Sequence, residues 1–335
     1  MGPNARGALI ALLAFAVYAT HDVVVKLMGA SYSPVQTIFF SVLFSFPLAM
    51  VTIMRDPNPG TLRPANPGWV ATRTVAALAT GISAFYAFSV LPLAQVYTII
   101  FAAPLLITIL AIPILGEKVR IRRWIAVIVG LAGVLVVLRP GTTELTLGHL
   151  AALMAAVASS LASVIVRKIG PDERPVVLML FPMLGNFVLM GALLPLVYQP
   201  MPLSHLAAIA GMSVLGYLGG LAIIQAYKLG EAVVVAPMQY SQIIWAAIFG
   251  ALLFDETLDL NTMIGAGIII ASGIYIVFRE AGLKTGSQRP VLRSKQRVET
   301  GTFPKEARLP EGRARAGLTG LAGRSAPLAN QSDPR

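Results

Sequence analysis

The chain contains no cysteine, so disulfides, thiolate metal centres and cysteine nucleophiles are all excluded. Histidine is almost as scarce: His21, His149 and His205 stand far apart, which argues against a histidine metal cluster. Charge is the third shortage, at 12% of residues where a soluble domain carries about 25%. Neither a Gly-x-x-x-x-Gly-Lys-Ser/Thr phosphate cradle nor a Gly-x-Ser-x-Gly nucleophile turn occurs, so the sequence offers no ATPase and no serine hydrolase signature.

Apolar residues are plentiful. Hydrophobic residues make up 56% of the 335, with a mean hydropathy of +0.75, which is the composition of a protein dissolved in lipid. That balance excludes soluble enzymes, disordered regulators and nucleic-acid readers. The net charge of +11 does not contradict it, because residues 279–335 hold 12 basic and 5 acidic residues. Much of the basicity is a tail, and residues 281–335, without apolar periodicity, are expected to be a disordered basic cytoplasmic segment. Met1 to Arg6 leading into an apolar run has the form of a secretory signal. The run continues to Val25, however, and the chain stays apolar, so a retained first membrane helix is expected.

A helix needs about 20 apolar residues to cross a hydrocarbon layer about 30 Å thick, and lipid tolerates no unpaired backbone, so each long apolar run predicts a helix. Ten runs occur, at 7–28, 34–54, 70–91, 94–115, 121–138, 148–168, 176–197, 205–228, 232–254 and 262–279. Asp56-Pro57-Asn58-Pro59-Gly60, Gly116-Glu117, Arg139-Pro140-Gly141, Gly170-Pro171-Asp172 and Asp255-Glu256 punctuate them. Ten crossings return both termini to one side. One set of connections carries Arg55, Arg63, Arg73, Lys118, Arg120, Arg122, Arg123, Arg167, Lys168, Arg174 and Lys228, the other only Lys26 and Arg139. Both termini are therefore expected on the cytoplasmic side of a cell (inner) membrane.

The chain also repeats itself. Gly7-Ala8-Leu9-Ile10 at the start of helix 1 matches Gly148-His149-Leu150-Ala151 at the start of helix 6, and Val23-Val24-Val25-Lys26 matches Val164-Ile165-Val166-Arg167, at one offset of 141 residues. Leu115-Gly116-Glu117 after helix 4 matches Phe254-Asp255-Glu256 after helix 9 at an offset of 139. Two offsets this close imply two copies of a five-helix unit, over residues 7–139 and 148–280. Five is odd, so the second copy crosses the bilayer in the opposite sense. The expected fold is an all-α membrane protein of ten transmembrane helices arranged as two inverted five-helix repeats.

These paired halves, with Ala94-Gln95-Val96-Tyr97, Phe101-Ala102-Ala103-Pro104-Leu105-Leu106 and the Gly116-Glu117 and Asp255-Glu256 helix ends, resemble the EamA family of the drug/metabolite transporter superfamily. The resemblance covers about residues 7–280 and implies a ten-helix carrier whose central cavity is lined mainly by helices 1, 3, 4, 6, 8 and 9. Gln239-Tyr240 to Glu256, and the closing Gly273-Ile274-Tyr275-Ile276-Val277-Phe278-Arg279-Glu280, also resemble a branch that includes riboflavin and S-adenosylmethionine carriers.

Ionisable groups inside a span are expensive and each is a functional candidate. His21 and Asp22 lie about 22 Å along helix 1 from Gly7. Two readings of Asp22 stand: a substrate or proton role shared with His21, or a local ion pair with Lys26 one turn on. Lys26 and its counterpart Arg167 read as anchors, and Glu117 and Glu256 as structural groups needing a partner, because a carboxylate opposes the dipole at a helix C-terminus. Helix 4 offers Tyr97 and Phe101, helix 9 offers Gln239, Tyr240, Gln242 and Trp245, helix 3 offers Tyr86 and helix 8 offers Gln225 as substrate-binding candidates. Pro104 and Pro237 interrupt their helices and are candidate hinges.

Walls of this kind suit a planar or amphiphilic metabolite. The expectation is a secondary transporter, not an enzyme, that works by alternating access without metal or cofactor. Its partners are a small-molecule substrate, the lipid bilayer and a coupling proton or ion, with no nucleic acid. Uptake of a riboflavin-like cofactor or vitamin is the leading expectation. Efflux of amino acids or drugs and service as the permease subunit of an ATP-driven system are the alternatives.

Overall fold

The computed structural model describes residues 2–54, 61–117, 119, 121–140, 144–230 and 232–282. Arg55, the Asp56 to Gly60 turn, Lys118, Arg120, Gly141 and the tail beyond residue 282 lie outside the described residues. Ten helical spans follow one another: α1 Pro3–Gly29, α2 Pro34–Met54, α3 Pro67–Val90, α4 Leu93–Leu115, α5 Ile121–Leu138, α6 Leu147–Ile169, α7 Pro175–Val197, α8 Leu203–Leu229, α9 over 232–254 and α10 Leu260–Gly282. Every end falls within four residues of the hydropathy expectation, and the described residues include no strand. Nine spans are long and apolar enough to cross a membrane, while α10 keeps an apolar stretch over Leu260–Ile276. Prolines open α1, α2, α3 and α7, where a missing N–H costs nothing. α4 and α9 end on left-handed residues, Gly116 at φ 70° and Asp255 at φ 52°.

Contacts between the span ends define two faces. At the N-terminal end the start of α1 meets the end of α8 at Gly7 and Gly230, Glu173 accepts from the Asn66 amide (2.5 Å), and Lys168 lies over the Trp69 ring. At the distal end Gly148, opening α6, packs on Val90 and Leu91, closing α3. There Gln36 also exchanges bonds with the Gln199 backbone (2.7 and 2.9 Å), and Tyr32 bonds His205 (2.7 Å). The first repeat thus begins at one face and the second at the other, which is the inversion expected from an odd number of spans. The pairing of helices obeys the same two-fold relation. α1 packs along α8 and α6 along α3, whereas α2 with α7, α4 with α9 and α5 with α10 are pairs that map onto themselves.

Small residues let these pairs approach. Lipid gives no hydrophobic drive between helices, so close van der Waals contact has to hold them. A Cβ added at Gly7 would come within 2.7 Å of the Gly230 backbone, at Gly265 within 2.7 Å of the Gly133 carbonyl, and at Gly219 within 2.9 Å of the Tyr18 ring. The Gly216 and Gly219 stripe of α8 therefore packs on α1, as its spacing suggests.

Two regularities break. α4 is interrupted at Phe101-Ala102, because Pro104 has no N–H to give the Ile100 carbonyl, and α9 passes through a 3-10 turn at Ala236–Tyr240 that carries Pro237 near its start. The hydroxyl of Ser160 in α6 donates to the Ala103 carbonyl (3.1 Å) beside the first break. Arg73, expected in a connection, instead lies within α3, 1% exposed, donating to the Leu178 carbonyl of α7. Arg73 already falls inside the 70–91 run, and with α3 opening at Pro67 it stands nearly two turns into the helix, on the side packed against α7.

Replacing Gly7 by valine is expected to lower the thermal unfolding midpoint of the purified protein in detergent, at a cost of about 1–3 kcal/mol, since backbone cannot retreat. Gly211→Val, at a position where an added Cβ meets nothing within 4 Å, should leave the midpoint within a degree or so in the same melt.

Candidate functional site

Two ion pairs related by the repeat, one at each face, join the two halves. At the distal face Lys26 of α1 holds Glu256 at the end of α9 (2.6 Å). The second oxygen of Glu256 accepts from the Leu93 amide (2.9 Å) at the start of α4, while Lys26 also donates to the Leu91 carbonyl (2.5 Å). At the N-terminal face Arg167 of α6 holds Glu117 at the end of α4, and the neighbouring Lys168 caps the Ile114 carbonyl (3.0 Å). Lys26 matches Arg167 and Glu117 matches Glu256 in the sequence repeat. The cation of each half therefore pairs with the carboxylate of the other, once at each face. The partner that a carboxylate at a helix C-terminus requires is thus found across the repeat boundary. These pairs are largely buried, at 13% and 16% exposure for the distal side chains and 11% and 21% for the others.

One turn from Lys26 along α1, on the inner side of the distal pair, lies a polar cluster in an aromatic setting. The carboxylate of Asp22, 2% exposed, bonds the His21 ring through Nδ1 (2.6 Å) and accepts from the Tyr97 hydroxyl of α4. That hydroxyl in turn accepts from the Gln242 amide of α9 (3.2 Å). Three helices, α1, α4 and α9, and both repeats meet in this chain of bonds. Rings surround it: Phe88, Tyr97, Phe101 and Tyr240 follow one another at centroid separations of 5.3, 5.6 and 5.4 Å. Phe101 and Tyr240 are equivalent under the 139-residue offset and sit at the two helix breaks, so the local two-fold axis runs between their rings. Among the described residues no group of His, Asp or Glu is arranged to hold a metal ion.

Of the sequence candidates, the structure therefore brings together His21, Asp22, Tyr97, Phe101, Tyr240 and Gln242, with Pro104 and Pro237 at the breaks. It does not bring in the others. Gln225 is exposed on the face of α8 that carries Leu218, Leu221 and Leu229, about half a turn from the Gly216 that meets α1. Trp245 is half-buried and stacks on Phe249 (6.0 Å), and Tyr86 and Gln239 are half-buried outside the hydrogen-bonded chain. The local ion pair between Asp22 and Lys26 does not form, because the long lysine stem reaches the distal face and finds Glu256. Phe88 joined the ring series without being anticipated. Its signal, a position nine residues before Tyr97 across a hairpin, is legible only once the hairpin is folded.

Two cavities flank the centre, which is itself filled by the rings. One of about 50 Å³ lies beside His21, lined by Ser41, Ser45, Asn186, Ser213 and Tyr217 among others, and has room and acceptors for water. The other, about 280 Å³, opens at the distal end between α4, α5, α6, α9 and α10. The interior expected between helices 1, 3, 4, 6, 8 and 9 is thus closed in this conformation, with an ion pair at each face.

A model of the EamA-like transporter family matches the chain twice, over residues 5–139 and 146–279. The S-adenosylmethionine uptake transporter of Rickettsia prowazekii (strain Madrid E) is 25% identical over 272 residues, which cover 80% of this chain and 91% of that protein. The pseudopaline exporter CntI of Pseudomonas aeruginosa (strain UCBPP-PA14) is 23% identical over 277 residues, covering 81% and 95%. A solved crystal structure aligns at a TM-score of 0.55 and 18% identity, over 84% of this chain and 100% of that one, a likeness of fold. Family and relatives alike are transporters.

A double-mutant cycle on the distal pair should show strong coupling. With Lys26→Met, Glu256→Gln and the combination compared by unfolding in detergent, the two single losses should exceed the double by about 1–3 kcal/mol. Additive losses would mean that the two side chains do not depend on each other.

Proposed function

The chain belongs to the EamA-like transporter family, and from that premise we propose that it carries a small organic cation across the cell (inner) membrane by alternating access, with both termini in the cytoplasm. The observation that supports the mechanism is the pair of repeat-related ion pairs, Lys26 with Glu256 and Arg167 with Glu117, one at each face. Opening one pair while keeping the other exposes the centre to one side only. Because the two gates are built from matching residues in inverted halves, the two open states lie close in energy, which a reversible carrier needs. The breaks beside Pro104 and Pro237 give α4 and α9 a place to bend, and they are the proposed hinges.

The chemistry of the substrate follows from Asp22. A buried carboxylate among Phe88, Tyr97, Phe101 and Tyr240 matches a cationic group that can take a counter-charge and ring faces together. A planar metabolite with an onium centre meets both requirements, whereas a flavin ring system brings no positive charge to the carboxylate. The nature of the Rickettsia relatives supports a sulfonium nucleoside over riboflavin. Inward movement is the direction we favour, since an inside-negative potential gives a single positive charge about 2.3 kcal/mol per 100 mV without an ATPase. The excess of Lys and Arg at the N-terminal end, including Arg63, Arg122, Arg123, Arg167, Lys168 and Arg174, supports cytoplasmic termini.

Proteoliposomes with a negative interior should accumulate labelled S-adenosylmethionine in preference to riboflavin or a panel of amino acids. Asp22→Asn should lower the initial rate at least about tenfold. Full activity in that variant, or riboflavin uptake that ignores the substitution, would overturn the cation reading. Outward-only movement would favour export, the activity named for the Pseudomonas relative.

A further inference from the structure

The distal cavity has a chemistry of its own. Its walls come from both repeats: Gln95 of α4 and Arg139 after α5 from the first, His149 of α6, Glu256, Asp259 and Thr262 from the second. The neutral part of the wall is closed, with the Gln95 amide bonded to His149 Nε2 (3.0 Å) and the other ring nitrogen taken up by Thr146. The charged part is engaged as well but lies nearer to solvent: the Arg139 guanidinium also reaches the Asn261 amide oxygen, and Asp259 accepts from the Thr262 amide (3.2 Å). Arg139 and Asp259 pair across the mouth at 28% and 44% exposure, the most open ion pair among the described residues. An ion pair so exposed is worth little, so a competing ligand displaces it at small cost. Arg139 is also one of two non-glycine residues with positive φ, at 44°, a conformation that costs about 1–3 kcal/mol and is kept where the side chain must be aimed. Val137, Ala246, Ala247 and Leu258 supply apolar surface between the charges.

We propose that this cavity is a binding site for a small zwitterion of the α-amino-acid type, and that its occupancy opens the distal gate. The ligand carboxylate takes the guanidinium of Arg139, the one Arg or Lys side chain among the described lining residues, and the ammonium takes Asp259 and Glu256. Glu256 is the link. The same carboxylate that lines the cavity holds Lys26 and the first amide of α4, so an ammonium at Glu256 competes with Lys26 and frees both helices. A volume of about 280 Å³ suits an amino acid. The inference rests on the carrier reading, to which it adds an external ligand site separate from Asp22.

The experiment uses the full chain in nanodiscs and three probes: L-methionine, its methyl ester, which lacks the carboxylate, and N-acetylmethionine, which lacks the ammonium. Equilibrium dialysis should show methionine bound at least tenfold more tightly than either analogue, and Arg139→Gln should remove that preference while its melting curve shows the protein folded. Gate opening is read on Thr98→Cys, a fully buried position behind the gate in a chain with no cysteine of its own. Methionine should speed its modification by an impermeant thiosulfonate several-fold, and N-acetylmethionine should not. Equal binding of the ester or of N-acetylmethionine, or binding without faster modification, overturns the proposal. Substrate counterflow measured on the same protein keeps the two readings apart. Exchange without methionine binding removes only this site, whereas absence of exchange with every candidate substrate removes the carrier reading.

Discussion

A carboxylate at a helix end has to meet a cation, and for Glu256 and Glu117 that cation is supplied by the other half of the chain. Lys26 cannot be satisfied within the first repeat, nor Arg167 within the second, so neither five-helix unit is complete alone. That constraint ties α1 to the end of α9 and α6 to the end of α4, while the glycine contacts bring α1 along α8. It also puts the ion pairs at the faces, where a lysine or arginine stem can reach a helix end, and leaves the middle to rings and glycines.

Symmetry then divides the molecule by task. The gates are images of each other, down to the left-handed residues Gly116 and Asp255 that turn the chain before each glutamate. The centre is not. Asp22 and His21 correspond to Ser163 and Ala162 in the second repeat, so only the first half contributes an ionisable pair. Near-equal open states require matched gates, but a solute that binds between the halves has no two-fold axis of its own. Asymmetry at Asp22, beside the symmetric contact of Phe101 with Tyr240, is what that division of labour looks like.

Much of this arrangement was legible beforehand. Spans followed from hydropathy because lipid forces every apolar run into a helix. The helix breaks followed from Pro104 and Pro237, and the shared importance of Glu117, Glu256, Lys26 and Arg167 from their positions in the repeat. The failures have one physical source, which is rotation about a helix axis. Gln225 was read as inward because it is polar, yet Gly216, Gly219 and Ala226 fix the inward face of α8 and leave Gln225 outside it. Arg73, counted with the connections though it falls within the third run, is buried because it faces α7, where the Leu178 carbonyl receives it.

Composition, run length and an odd repeat unit determined by themselves that the chain is a ten-span bundle of two inverted halves, because those properties depend only on what lipid excludes and on counting crossings. Partnership was decided by the folded structure. The i to i+4 spacing of Asp22 and Lys26 is a local preference worth about 0.2–0.5 kcal/mol in an exposed helix. A buried carboxylate 230 residues along the chain, already holding the Leu93 amide, outweighs it. No local rule could reveal that choice, since it depends on which helix ends packing brings to the same face.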